Sequence, residues 1–242
     1  MEQNNKPKAT MEDFRTLETL TRSLYTSFQI NGSSEESELT AQANQELNDF
    51  VESRDWFPTI LRENGKEGVL DLDGSILVPA IFDKVAYTYS RVVINASMPI
   101  IVINDGKYGL ALTDGKGSLL LPCEHDDIRL DETHAFFHVT DGGKTMLVSP
   151  NGKQLTPQTL DKVYGANSNI VVVQSGDKYG LLDLNTVLFV DPIYDDIQVE
   201  YEDYAVVLKD GVQGYLSSND GHFIPKDHYD NCDDVEELVM CY

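Results

Sequence analysis

GDKYGLLDLNTVLFVDPIYDDI, residues 176–197, sets out a fixed order: a glycine turn, a short apolar strand, a second turn, another strand, a proline, then a bulky residue followed by Asp. The same order occurs four more times. It reads NGKEGVLDLDGSILVPAIFDKV at 64–85, DGKYGLALTDGKGSLLLPCEHDDI at 105–128, GGKTMLVSPNGKQLTPQTLDKV at 142–163 and DGVQGYLSSNDGHFIPKDHYDNC at 210–232. Three landmarks agree on the period. Lys66, Lys107, Lys144, Lys178 and then Val212 step by 41, 37, 34 and 34 residues. Pro79, Pro122, Pro157, Pro192 and Pro225 step by 43, 35, 35 and 33, and Phe82-Asp83, His125-Asp126, Leu160-Asp161, Tyr194-Asp195 and Tyr229-Asp230 by 43, 35, 34 and 35. One such unit is too small to bury its own apolar face, so the units must pack on one another.

Working outward, the strand runs 92–95, 99–104, 135–140, 170–174 and 204–208 are rich in Val and Ile and bounded by Gly, Asn and Asp. Each unit adds strands of the 179–184 and 187–190 type. Asp73-Gly74, Asp105-Gly106, Asn151-Gly152 and Asp220-Gly221 have hairpin-turn chemistry. The fold expected is mainly β: five tandem antiparallel β-repeats of about 35 residues, arranged as an open curved stack or a propeller-like ring. Units of about 34 residues look short for four-stranded blades, which favours the open form. The terminal ELVMCY, residues 237–242, matches the strand that opens a further unit and would either close a ring or cap a stack.

Ahead of the repeats the period changes. Met11, Phe14, Leu17, Leu20, Leu24 and Phe28 recur at helical spacing, with Thr10 as N-cap and Asp13 three residues on. Asn31-Gly32 interrupts, and Leu39, Ala43, Leu47, Phe50 and Val51 form a second run, entered by Ser33 with Glu36 at capping-box distance. Residues 1–54 are expected to form an α-helical hairpin that either caps the array or docks a partner, and 55–242 the repeat domain.

The repeat pattern resembles the WG-repeat family, also called KWG repeats. It is carried best by Gly176 to Asp183 with Pro192 to Ile197, then by Asp105 to Leu110, and covers about residues 58 to 235. Tyr108 and Tyr179 replace the namesake tryptophan, Glu67, Thr145 and Gln213 replace it more radically, and Met146 stands where glycine is usual. The resemblance implies an all-β bacterial repeat protein serving as a scaffold or recognition surface, with no catalytic residues attached to it.

Charge narrows the function. Against 18 basic side chains stand 41 acidic ones, a net charge of −23. Nucleic acid and anionic membrane are therefore poor partners, and a basic protein is a good one. The first fourteen residues lack an apolar signal core, no apolar run approaches membrane-spanning length, and three sparse cysteines (Cys123, Cys232, Cys241) suit a reducing compartment; a cytoplasmic location is expected. No cofactor, metal or catalytic set is expected. The Gly-Lys pairs lack phosphate-loop spacing. His134 and His138 lie on a strand, where four residues span about 13 Å. Cys123, His125 and Asp126 show no oriented base. The repeated Asp after a bulky residue is expected to hydrogen-bond its own backbone at a turn.

From Asp191 to Glu237 there are 14 acidic residues and two basic ones, Lys209 and Lys226. The expected protein-binding face is Asp195, Asp196, Glu200, Glu202, Asp203, Asp233 and Asp234, with Tyr194, Tyr201 and Tyr229 as aromatic anchors. A smaller acidic cluster runs from Glu124 to Glu132. The expected function is a non-enzymatic protein-binding module, in its sharpest form a bacterial immunity or inhibitor protein whose acidic face binds a basic toxin or effector. The alternative is a structural adaptor that docks through its helical hairpin.

Overall fold

The computed structural model describes residues 6–31, 38–86, 98–133, 135–157, 159–165, 169–200, 204–216 and 220–226. The chain is mainly β, with two helices followed by five antiparallel sheets in sequence order. The helices are α1 (Met11–Asn31) and α2 (Glu38–Glu52). The first sheet is β1 (Thr59–Glu63), β2 (Lys66–Leu70) and β3 (Ile76–Phe82). The second is β4 (Lys84–Ala86), β5 (Ile100–Asn104), β6 (Lys107–Ala111) and β7 (Leu119–His125). The third is β8 (Asp127–Leu130), β9 (Phe137–Asp141) and β10 (Lys144–Val148). The fourth is β11 (Lys162–Gly165), β12 (Ile170–Ser175), β13 (Lys178–Asp183) and β14 (Leu188–Tyr194). The fifth is β15 (Asp196–Glu200), β16 (Tyr204–Lys209), β17 (Val212–Leu216) and β18 (Phe223–Pro225). The expected strand at 92–95, the Ser33 cap and the pairing of 237–242 lie outside the described residues.

Three sheets have four strands in spite of the short period. The economy comes from the connections: β3 ends at Phe82 and β4 begins at Lys84, and β14 ends at Tyr194 and β15 begins at Asp196. At these two junctions, and at Asp126 between β7 and β8, a single Asp is the whole link; only between β10 and β11 is the connection longer.

The glycine after the lysine makes room for the proline. Across β13 and β14, Leu181 pairs with Val190 and Tyr179 with Tyr194, so Gly180 faces a bulge holding Asp191, Pro192 and Ile193. A Cβ on Gly180 would lie 2.3 Å from the Val190 carbonyl oxygen and 2.8 Å from the Pro192 nitrogen. The first sheet repeats the arrangement, with Gly68 opposite Pro79 and Ala80. The bulge is also where a proline costs least, because no ladder hydrogen bond needs its missing N–H. The third sheet tests this logic. Met146 occupies the glycine position, and among the described residues β10 gains no fourth strand, only isolated bridges from Val148 to Gln154 and from Thr145 to Leu160.

Apolar residues of the fourth sheet are buried on both faces, which explains why Ile170 to Val173 is a continuous apolar run. Val171, Val173 and Leu182 pack with Phe136, Leu147 and Leu160, while Ile170, Leu181, Val190 and Tyr194 pack with Ala205, Val207 and Leu216. The helical pair is joined to the first sheet. Thr10 and Asp13 form the expected reciprocal cap, at 3.2 Å from the Asp13 N–H to Thr10 Oγ1 and 2.9 Å from the Thr10 N–H to Asp13 Oδ2. Leu17, Ala9 and Trp56 are buried together, flanked by Phe14, Leu47, Phe50, Val51 and Leu72, the last from the β2–β3 turn. The helix-to-strand change falls between Glu52 and Thr59, but the two compact units are Met1–Asp105 with Leu110–Leu120, and Gly106–Gly109 with Leu121–Tyr242.

Val187 carries strain. Its φ is +57°, in the left-handed region, at the turn position taken by Gly74 and Gly152 in other units. A β-branched residue is costly there. Val187→Gly is expected to raise stability by about 1 kcal/mol in denaturant melts, whereas Gly180→Ala is expected to lower it by about 2–3 kcal/mol.

Candidate functional site

The repeated Asp bonds to the sheets on both sides of it. Asp83 Oδ1 accepts from Lys66 Nζ at 2.7 Å, and its Oδ2 accepts the Asp105 N–H at 2.7 Å. Asp126 takes Lys107 Nζ at 2.6 Å and the Gly142 N–H at 2.8 Å. Asp161 takes Lys144 and the Gly176 N–H, and Asp195 takes Lys178 and the Asp210 N–H, both N–H contacts at 2.7 Å. The backbone N–H of each Asp also donates into the following sheet: Asp83 to the Ile103 carbonyl and Asp126 to the Thr140 carbonyl at 3.0 Å, Asp161 to Gln174 and Asp195 to Leu208 at 2.8 Å. Lysine from one sheet, Asp at the junction and a hairpin turn of the next form a clasp, made four times. The sequence expectation of an Asp bonded locally is corrected: the turn belongs to the next unit, 15 to 22 residues on.

The hydrogen bond from each lysine, reinforced by the turn N–H, holds all four carboxyls below the ordinary Asp range. Lys107 and Lys178 are correspondingly pushed up by Asp126 and Asp195. In the fifth unit Val212 replaces the lysine and is 47% exposed.

The proposed binding residues separate on this frame. Asp195 is committed to its clasp and is no docking group. Tyr194, expected as an aromatic anchor, is 2% exposed: it packs beside Phe223, ring centroids 6.2 Å apart, with Lys209 Nζ 5.8 Å from its ring. Burial pushes its hydroxyl pKa up. It occupies the bulky position shared with Phe82 and Leu160, both buried, and fills the core while the next residue turns out to the clasp. Asp196 is exposed and accepts the Ile197 N–H through Oδ1. Asp191 is exposed on the β14 bulge, beside Ile193 at 46%. Glu200 ends β15. Tyr201, Glu202, Asp203, Tyr229, Asp233 and Asp234 lie outside the described residues. In the smaller cluster Glu124 and Asp127 are exposed, while Asp131 is partly buried.

The other sequence candidates have structural partners. His138 is 4% exposed; Asp131 Oδ1 lies 3.3 Å from its Nε2 and Arg129 3.3 Å from its Nδ1, and burial lowers its pKa. His125 Nδ1 is 2.7 Å from Asp141 Oδ2. Among the described residues no group of three or more His, Cys, Asp or Glu is placed to hold a metal ion, and no helix is long and apolar enough to cross a membrane. What sequence reading missed is the lysine as partner of the Asp. The signal was present: the pairs are separated by 17, 19, 17 and 17 residues.

The architecture defines a protein of tandem antiparallel β-repeats joined by lysine–aspartate clasps. Residues 179–212 match the model of the WG containing repeat. No curated protein matches the chain. A solved structure of the dihydro-heme d1 dehydrogenase NirN is similar over 72% of this chain and 46% of that one, at 12% identity and a TM-score of 0.31, so the chain spans under half of that protein's length.

A carboxyl whose pKa is depressed by folding contributes stability above its unfolded value and loses it as pH falls through the folded one; a raised lysine contributes below its unfolded pKa and loses it in strong alkali. The clasps therefore act across the neutral range. Asp161→Asn and Lys144→Met are each expected to lower Tm by about 1–4 °C at pH 7, with the deficit of Asp161→Asn shrinking toward zero as pH is taken well below 4. Tyr194→Ala is expected to cost about 3–5 kcal/mol, and Tyr194→Phe little, in equilibrium unfolding.

Proposed function

We propose that the chain is a non-enzymatic protein-binding module that engages a basic protein through the acidic side of its last two sheets. The observation that carries this reading is a division of labour among the carboxylates. Asp83, Asp126, Asp161 and Asp195 are each neutralised by a lysine, yet the chain keeps a net charge of −23. Asp191 and Asp196 stand exposed near Ile193, outside the clasps, in the segment where acidic residues outnumber basic ones 14 to 2. Such a field attracts a cationic partner from a distance and weakens with salt. In its sharpest form the module is a cytoplasmic bacterial immunity or inhibitor protein, occluding the basic surface of a toxin or effector.

A second reading, an adaptor docking through its helical hairpin, draws on different residues. Tyr25 and Leu39 are 63% and 65% exposed on α1 and α2. Leu39 borders a depression of about 470 Å³ lined also by Thr19, Arg22, Thr26 and Ala43.

The two readings part in one experiment. A tagged chain is used to capture proteins from lysate of its source cells at low and high salt, alongside Asp191→Lys/Asp196→Lys and Tyr25→Ser/Leu39→Ser variants. Asp195 is left intact, because reversing it would break a clasp. The acidic-face reading expects a stoichiometric basic partner, at least about tenfold weaker for the charge-reversed variant and at high salt. Loss with the helical variant instead assigns the adaptor role, and an acidic or neutral partner held equally by all variants contradicts both.

A further inference from the structure

In sheets two to five a strand that begins just after the junction Asp covers the outer edge of the next. β4 pairs with β5 from Lys84–Ile103 to Ala86–Ile101, β8 with β9, β11 with β12, and β15 with β16 from Asp196–Leu208 to Glu200–Tyr204. Among the described residues the first sheet has β2 on one side of β1 and no strand on the other. The hairpin Asn64-Gly65 has positive φ at both residues, +51° and +78°, so Glu63 and Lys66 close it as a hydrogen-bonded pair. Alternation then turns the N–H and C=O of Ile60 and Arg62 away from β2. Among the described residues these groups meet no partner, and the Asn64 N–H, whose counterparts Asp105, Gly142, Gly176 and Asp210 are each held by an Asp carboxylate, has none either.

We propose that the outer edge of β1 is a docking site for an extended segment of another polypeptide, of the pattern bulky residue–Asp–Asp–(Ile or Val), which adds antiparallel as a fourth strand. The four filled edges supply the template. The Asp after the bulky residue donates its N–H to the Arg62 carbonyl, as Asp195 does to Leu208, and its carboxylate takes the Asn64 N–H, as Asp195 takes that of Asp210. By the register of β15 on β16, the next residue lies opposite Arg62 and the branched residue opposite Leu61. Lys and Asp both occupy that next position in the filled edges, at Lys84, Asp127, Lys162 and Asp196; the Arg62 side chain, 67% exposed and paired through Nε with Glu67 at 3.1 Å, favours Asp over Lys there. Beside the edge lies a groove of about 380 Å³ lined by Lys8, Ile60, Arg62 and Val85. This site is remote in sequence from the acidic segment and independent of it in chemistry: backbone pairing decides it, and salt should affect it weakly.

The probe is a fluorescent peptide of residues 193–200, IYDDIQVE, titrated against the full chain and read by anisotropy. Saturable one-to-one binding is expected. Ile60→Pro removes only an outward N–H and is expected to weaken binding at least about tenfold with an unchanged melting curve. Should that variant melt early, the peptide itself decides: N-methylation of the first Asp amide, or that Asp replaced by Asn, is expected to weaken binding at least about fivefold. No binding at millimolar peptide, equal binding of the N-methylated peptide, binding only after deletion of residues 227–242, or displacement of the peptide as the protein dimerises would each overturn the proposal.

Discussion

A single carboxylate holds each pair of neighbouring sheets in register. One oxygen accepts from a lysine ammonium of the sheet before and the other from a turn N–H of the sheet after, while its own N–H donates into a strand of that next sheet. A two-residue hairpin turn leaves its first N–H outside the strand ladder, and in four turns the Asp carboxylate accepts it. The Asp supplies this acceptor from the residue just before the first strand of the next sheet. At three of the four positions the bulky residue before the Asp enters the core, and His125 is the half-exposed exception. Phe82, Leu160 and Tyr194 are buried.

The glycine and proline of the motif answer a second constraint, that of fitting a bulged last strand against the third. Gly180 and Gly68 admit the bulge, and the proline sits where no ladder bond is lost. Met146 shows the same rule in the negative, since the third sheet has the clasp without the glycine and keeps three strands. Clasp and bulge are thus separable. The first joins sheets and the second completes them.

Much of this was legible in the residues. The period, the hairpin turns, the Thr10–Asp13 cap and the mainly β class follow from local chemistry that tertiary contacts do not overrule. The face assignments were harder. Tyr194 and Asp195 are adjacent and both look like interface residues by type; only the bulky–Asp register, with Phe82 and Leu160 in the first place, separates a core position from a clasp. Four strands fit a unit of about 35 residues where a one-residue connection joins neighbouring sheets. The lysine's role was hidden because pairing acts across about half a period, and local patterns weigh residues two to four apart. Charge told of an acidic surface but not which acids are already neutralised.

The most direct test is a pH titration of backbone amide resonances. The N–H signals of Asp105, Gly142, Gly176 and Asp210 should move together as their carboxylate acceptors are protonated, with midpoints below the ordinary Asp value of 3.8, while the Asn64 signal stays out of the group. Four midpoints at or above the ordinary value, or an Asn64 signal that follows the others, would contradict the account.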